Sequence, residues 1–111
     1  MERLLIREGR VVRSTQGRDE GRYFVVLQVL DGQYALMADG RTRKLDHLKK
    51  KKAMHLRPEP VIMEELGELR EHNTLQDASI RRFLEAHGYG PDKVTGQDQG
   101  RSQSKEDGSL V

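Results

Sequence analysis

Two stretches of this chain carry residues whose types and spacing could do chemistry, and both are suited to meeting an anion. The first is Gly17-Arg18-Asp19-Glu20-Gly21-Arg22, with Arg10 and Arg13 a few residues upstream. Glycines let a backbone approach an extended ligand closely, and a guanidinium matches phosphate oxygens two at a time. Asp19 and Glu20 lower that field, and Asp19 has a second use in accepting nearby backbone N–H groups to hold the loop. The second stretch is Arg41, Arg43, Lys44, Lys49, Lys50, Lys51, Lys52 and Arg57, eight cations in seventeen residues opposed by Asp46 alone. Four consecutive lysines cannot all face one way, so they make a diffuse positive field that suits a phosphate backbone better than one shaped ligand. The blander alternative for both stretches is a solvated surface that serves solubility.

Reading bases would require exposed aromatic rings. The aromatic residues are Tyr23, Phe24, Tyr34, Phe83 and Tyr89. Tyr34, beside a turn, is the candidate stacking ring and Tyr23 the next; Phe24 and Phe83 read as core. Histidines 47, 55, 72 and 87 have no metal-ligand spacing, and there is no cysteine to complete a site, so neither metal nor cofactor is expected. His87 reads instead as a group at a helix end, facing the dipole. No nucleophile sits with a base, no carboxylate pair lies in an apolar run, and no GxxxxGK[ST] loop is present. An enzyme is therefore not expected, nor a small-molecule substrate.

The net charge of +2 hides an asymmetry. Residues 1–57 hold fourteen Lys/Arg against seven Asp/Glu, or +7, and residues 58–111 hold six against eleven, or −5. A basic half joined to an acidic half points to a polyanion-binding module with a separate acidic segment. A polybasic membrane contact would need a lipid anchor or a basic amphipathic helix, and neither is evident. The absence of cysteine, of a long apolar run and of a signal-peptide core in MERLLIREG leads to the expectation of a soluble cytoplasmic protein.

These residues need a scaffold, and the hydrophobic pattern suggests one that is mainly β. Gly9-Arg10-Val11-Val12-Arg13-Ser14 suits a first strand, which Leu4, Leu5 and Ile6 extend or cover. Residues 23–30 form the clearest strand; both alternating sets are apolar, so both faces are covered for part of its length, with Val25, Leu27 and Val29 expected inward. Asp31-Gly32 and Asp39-Gly40 read as two-residue hairpin turns, with Tyr34, Leu36 and Ala38 alternating between them. Arg41-Thr42-Arg43-Lys44-Leu45 then begins another strand, and residues 53–56 supply the last. Five short strands in so few residues suggest a small SH3-like barrel.

Pro58 and Pro60 mark the expected end of that barrel (1–57), ahead of a helical extension (58–90) and a disordered tail (91–111). Ile62, Leu66 and Leu69 lie on one face of a first helix that Gly67 weakens. Thr74 or Asp77 caps a second, in which Ile80, Phe83, Leu84 and His87 make the stripe and Gly88 ends it. If that stripe packs on the strands the helices are structural, whereas an exposed stripe would make them a docking surface.

The succession Gly9-Arg10-Val11-Val12, Gly17-Arg18-Asp19-Glu20-Gly21-Arg22, Val25-Val26 and Asp31-Gly32 resembles a KOW motif. It is similar to that of large-subunit ribosomal proteins, and more so to small bacterial KOW-domain RNA-binding proteins with a basic run after the barrel and a helical tail. The likeness covers residues 9 to about 57 well and 61–87 loosely, with Gly21 at the motif's glycine and Arg22 at its basic position. It implies an SH3-like barrel and ribosomal or other structured RNA as partner, in a ribosome- or translation-associated role. KOW modules also occur in NusG-type elongation factors, so a protein-interaction module of the transcription or translation machinery is the alternative.

Overall fold

A computed structural model describes residues 4–90. Strands β1 (Arg10–Ser14), β2 (Tyr23–Leu30), β3 (Tyr34–Ala38), β4 (Lys49–Lys52) and β5 (Leu56–Ile62) form one antiparallel sheet in the order β4-β3-β2-β1-β5. Helices α1 (Leu66–Glu71) and α2 (Asp77–Ala86) follow. The mainly β class, the strand count and the two short helices match the sequence expectation. The edges β4 and β5 are joined by one 3-10 turn, Ala53–His55, and no ladder links them, so the sheet curls without closing into a hydrogen-bonded barrel. The curl is visible in the packing: Met37 on β3 and Leu56 on β5 share one core with Val12, Phe24, Val26 and Ala35, although two strands lie between them.

The opposite face of the sheet carries a second core. Val11, Val25, Leu27 and Ala38 pack there against Met63, Leu66, Ile80, Phe83 and Leu84. Strand β2 is thus buried on both faces, as its doubly apolar pattern requires, and each buried side chain of this size contributes roughly 1.5–3 kcal/mol. The helical stripe is consumed in this core, so the helices are structural. One expectation for β2 needs correcting. The β2–β3 register passes from Val26↔Met37 to Gln28↔Leu36, leaving Leu27 as a bulge residue. Beyond it the faces exchange, and Val29 joins the core of the curled face instead of following Val25 and Leu27. The carbonyl of Leu27 accepts from Arg70 Nη2 on α1 (2.7 Å), whose Nη1 holds Glu8 (3.0 Å).

Three further boundaries differ from the sequence expectation for physical reasons. Residues 41–45 form no strand, and the lysine run is itself β4. Pro58 and Pro60 do not end the sheet; they lie inside β5, where an edge strand tolerates a missing N–H, so the sheet runs past Arg57 to Ile62. Ile62 consequently belongs to that strand, and α1 begins only at Leu66. At the start of α2, Ser79 Oγ accepts the Gln76 N–H (3.2 Å), making Gln76 the cap rather than Thr74 or Asp77. Gly88, at φ 82°, follows the helix end as expected. No helix among the described residues is long and apolar enough to cross a membrane. The expectation for residues 91–111 lies outside the described residues.

Candidate nucleic-acid interface

Of the two Asp-Gly pairs, only the first makes the hairpin. Asp31 and Gly32 both have positive φ (52° and 71°), as a type I′ turn needs, and join β2 to β3. Asp39 is instead buried, and its carboxylate organises the loop that follows. Oδ1 accepts the backbone N–H groups of Arg41, Thr42 and Arg43, each at 2.9 Å, while Oδ2 accepts the Thr42 hydroxyl at 2.9 Å. The Arg43 carbonyl in turn takes the N–H of Asp39 (2.9 Å) and of Gly40 (3.1 Å). A carboxylate that satisfies three successive donors removes any need for a strand partner, which is why residues 41–45 stay in a loop. Helix α2 clamps this loop from its other side: Asp77 Oδ1 accepts the Leu45 N–H (2.8 Å), Arg81 donates to the Gly40 carbonyl (3.1 Å), and Arg41 pairs with Glu85.

The glycine-rich loop between β1 and β2 is closed at its base by reciprocal bonds, Ser14 N–H to the Arg22 carbonyl (3.0 Å) and Gly21 N–H to the Ser14 carbonyl (2.8 Å). Gly21 supplies the positive φ (87°) that this closure demands. Asp19 lies within the loop, 5% exposed, and pairs with Arg43 Nη2 at 3.1 Å. Arg22 Nη1 donates to Thr42 Oγ1 (3.3 Å). Two loops are thereby tied together by side chains 20 and 24 residues apart in sequence.

Strand β4 is the lysine run in extended form at an unpaired sheet edge, paired to β3 with the register Tyr34↔Lys52, Ala35↔Lys51, Leu36↔Lys50 and Met37↔Lys49. Its side chains therefore alternate. Lys49 and Lys51 share the curled face with Ala35 and Met37, and Lys51 Nζ reaches across to donate to the Gln16 carbonyl in the glycine-rich loop (2.5 Å). Lys50 and Lys52 lie on the opposite face with Tyr34 and Leu36, and Lys50 Nζ stands 4.7 Å from the centre of the Tyr34 ring, within cation–π range.

The sequence-selected residues thus divide. Arg18, Gly21, Arg22, Arg43 and the curled-face lysines Lys49 and Lys51 are brought together by the Lys51–Gln16, Arg43–Asp19 and Arg22–Thr42 contacts, while Lys50 and Lys52 lie on the other face of β4. Arg18 and Lys44 are exposed, and Tyr34 is half-buried beside the lysines. Arg41 belongs to the same loop but is held by Glu85. Arg10 is not part of the exposed basic surface. It is 8% exposed, with Nε donating to the Leu5 carbonyl (2.9 Å) and Nη1 to the Glu59 carbonyl (3.1 Å), so it fastens the N-terminal segment and β5 to β1.

Arg13 stands directly across from Arg57 on β5 and from Tyr23 on β2, and its Nε is buried with no hydrogen-bond partner. Tyr23 packs against Tyr89, ring centres 4.8 Å apart, which removes it as a free stacking platform. Burial, followed by the nearby Glu59 carboxylate and a hydrogen bond to it (3.4 Å), raises the Tyr89 phenol above the 10.0 of an exposed tyrosine. His87 caps the C-terminal end of α2, its ring against Phe83 and its Nδ1 3.0 Å from the Phe83 carbonyl.

Sequence reasoning overlooked the organisers: Asp39, Thr42, Gln16 and Glu85. Only Asp39 carried a signal, being a short acidic side chain followed by several free N–H groups, which fits an Asx-type loop as well as a hairpin. No protein-family model matches the chain, and neither does any curated protein.

Proposed function

We propose that this protein is a non-catalytic RNA-binding module, soluble and cytoplasmic, that contacts ribosomal or other structured RNA in a ribosome- or translation-associated role. One observation carries the reading. The glycine-rich loop is fastened beside the lysine strand by Lys51 to Gln16 and beside the loop that precedes that strand by Arg43 to Asp19, so cations far apart in sequence are gathered in one region of the molecule. A field of this kind attracts a phosphate backbone with little regard for sequence. The resemblance to KOW modules points the same way. The form of the protein-interaction alternative in which the helices dock through an exposed stripe is disfavoured, because Leu66, Ile80, Phe83 and Leu84 are buried against the sheet; docking through the sheet edge is untouched by this.

The test is the salt dependence of binding to a structured RNA. If each of the four lysines neutralises one phosphate, replacing Lys49–Lys52 by Gln reduces the magnitude of the negative slope of log K against log salt by up to roughly 3, at about 0.7 per contact. Identical slopes for wild type and variant would take β4 out of the interface.

A further inference from the structure

The alternation along β4 divides the lysines between two faces, and we infer that Lys50 and Lys52, with Tyr34, form a track for an unpaired nucleic-acid strand rather than for a duplex. This rests on the RNA-binding reading and assigns to one face the form of nucleic acid it takes. The face is defined by register: Tyr34 lies opposite Lys52 and Leu36 opposite Lys50, and Gln28 lies opposite Leu36 on the next strand. Further along the same face, Val25 and Ala38 are buried beneath the α2 residues Ile80, Phe83 and Leu84. At this end Gln28, Lys50 and Lys52 remain exposed, and Leu30, Tyr34 and Leu36 remain half-buried.

The chemistry of the patch is that of a single strand. Residues two apart on a strand project from one face about 6.7 Å apart, which is of the order of the spacing of successive phosphates along one nucleic-acid chain. Lys50 and Lys52 therefore suit neighbouring phosphates of one strand. A duplex presents phosphates but hides its base faces, which would leave the Tyr34 ring and the flanking leucines without a function. An unpaired strand offers both, because every base has a face that stacks on an aromatic ring. The ammonium of Lys50 already sits over the Tyr34 ring, and an arriving base exchanges that contact for stacking while the ammonium moves to a phosphate. Lys51, on the other face, is engaged by the Gln16 carbonyl, so the two halves of the strand have different tasks. The acidic residue nearest in sequence to this patch is Asp31, at the hairpin turn beside Leu30, and it forms no ion pair with either lysine.

The experiment measures binding of the full chain to a 12-nucleotide unstructured RNA and to a blunt RNA duplex of equal length by fluorescence anisotropy. Tyr34→Ala is expected to weaken single-strand binding roughly ten- to hundredfold and to leave duplex binding within about twofold. Tyr34→Phe, which keeps the ring, should bind like wild type, and this separates stacking from any loss of fold. Lys50→Gln/Lys52→Gln should weaken single-strand binding more than Lys49→Gln/Lys51→Gln does. If Tyr34→Ala weakens both RNAs equally or neither, or if wild type prefers the duplex, the track is wrong while the RNA-binding reading stands. Failure of wild type to bind either RNA removes both.

Discussion

Arg43→Ala should cost more stability than Asp19→Ala, although the two substitutions break the same ion pair. The pair is short at 3.1 Å, but its ends are unequally buried, with the Asp19 side chain 7% exposed and the Arg43 side chain 27%. Removing Arg43 leaves a buried carboxylate without its cation, a loss of about 3 kcal/mol, at the low end for uncompensated buried charges because the site borders solvent. Removing Asp19 leaves a guanidinium on a side chain that is 27% exposed, its Nε already buried without a partner, and the loss is about 1.5 kcal/mol. The double variant should cost about 3 kcal/mol, giving a coupling energy of about 1.5 kcal/mol. With a urea slope of about 1 kcal/mol/M for a domain of this size, the midpoints fall by about 3 M and 1.5 M for the single variants. Urea unfolding followed by circular dichroism measures all four proteins. Equal single costs, or a double variant equal to the sum, would mean that this pair does not hold the two loops together. RNA affinity adds a test of opposite sign: removing an acid from a basic surface should tighten binding if only the field mattered, whereas loss of the lock predicts that Asp19→Ala weakens it.

Two glycines should respond to alanine in opposite directions. Gly40 has φ 76°, and a Cβ there would run into the Asp77 carbonyl oxygen and the Arg81 backbone of α2, so Gly40→Ala should cost about 3 kcal/mol and lower Tm by well over 10 °C. Gly67 lies in α1 with open space around its Cβ position, and Gly67→Ala should stabilise by up to about 1 kcal/mol; a fall in Tm for this variant would contradict the geometry. The raised Tyr89 phenol has a pH consequence. Its neutral form is favoured in the fold, so its contribution is fully present below pH 10.0, the value of the unfolded phenol, and is lost as pH rises through the higher folded value. Ultraviolet titration of the tyrosines should show one late phenol that moves earlier in Glu59→Gln, and an unmoved titration would take Glu59 out of the cause.

What was legible in the sequence follows the physics of each signal. The bounds of β2 and the buried residues of α2 were readable because apolar periodicity reports burial directly, as Phe24, Ile80 and Phe83 illustrate. The bulge at Leu27 carried no such signal, since both faces of β2 are apolar and a shift by one residue leaves the pattern equally satisfied. Pro58 and Pro60 misled because proline excludes a central strand but not an edge strand, and strand order is a tertiary fact. The same applies to Asp39-Gly40, where one carboxylate serving three N–H groups outcompeted a hairpin. Within the candidate site, the residue types were visible in advance. Which cations would be consumed by the fold was not, because that depends on contacts such as Arg41 to Glu85 across forty-four residues.

That partition of cations is itself informative about how the surface works. The arginines largely build: Arg10, Arg70 and Arg81 donate to backbone carbonyls, and Arg41, Arg43 and Arg70 pair with carboxylates. A planar guanidinium with five fixed donors can satisfy such buried or constrained acceptors, whereas a lysine ammonium is a strongly hydrated point charge on a flexible stem. The lysines are accordingly left at the surface. Among the described lysines only Lys51 donates a side-chain hydrogen bond, and it reaches the glycine-rich loop. Placing them on an edge strand also guards that edge, because a row of ammonium groups repels the strand of a second copy that would otherwise pair there. A polyanion is not repelled, so the arrangement that blocks self-association leaves the edge open to a nucleic-acid backbone. On the proposed RNA-binding reading, resistance to edge pairing and binding are two outcomes of one geometry, and the salt slope and the Tyr34 variants test the second.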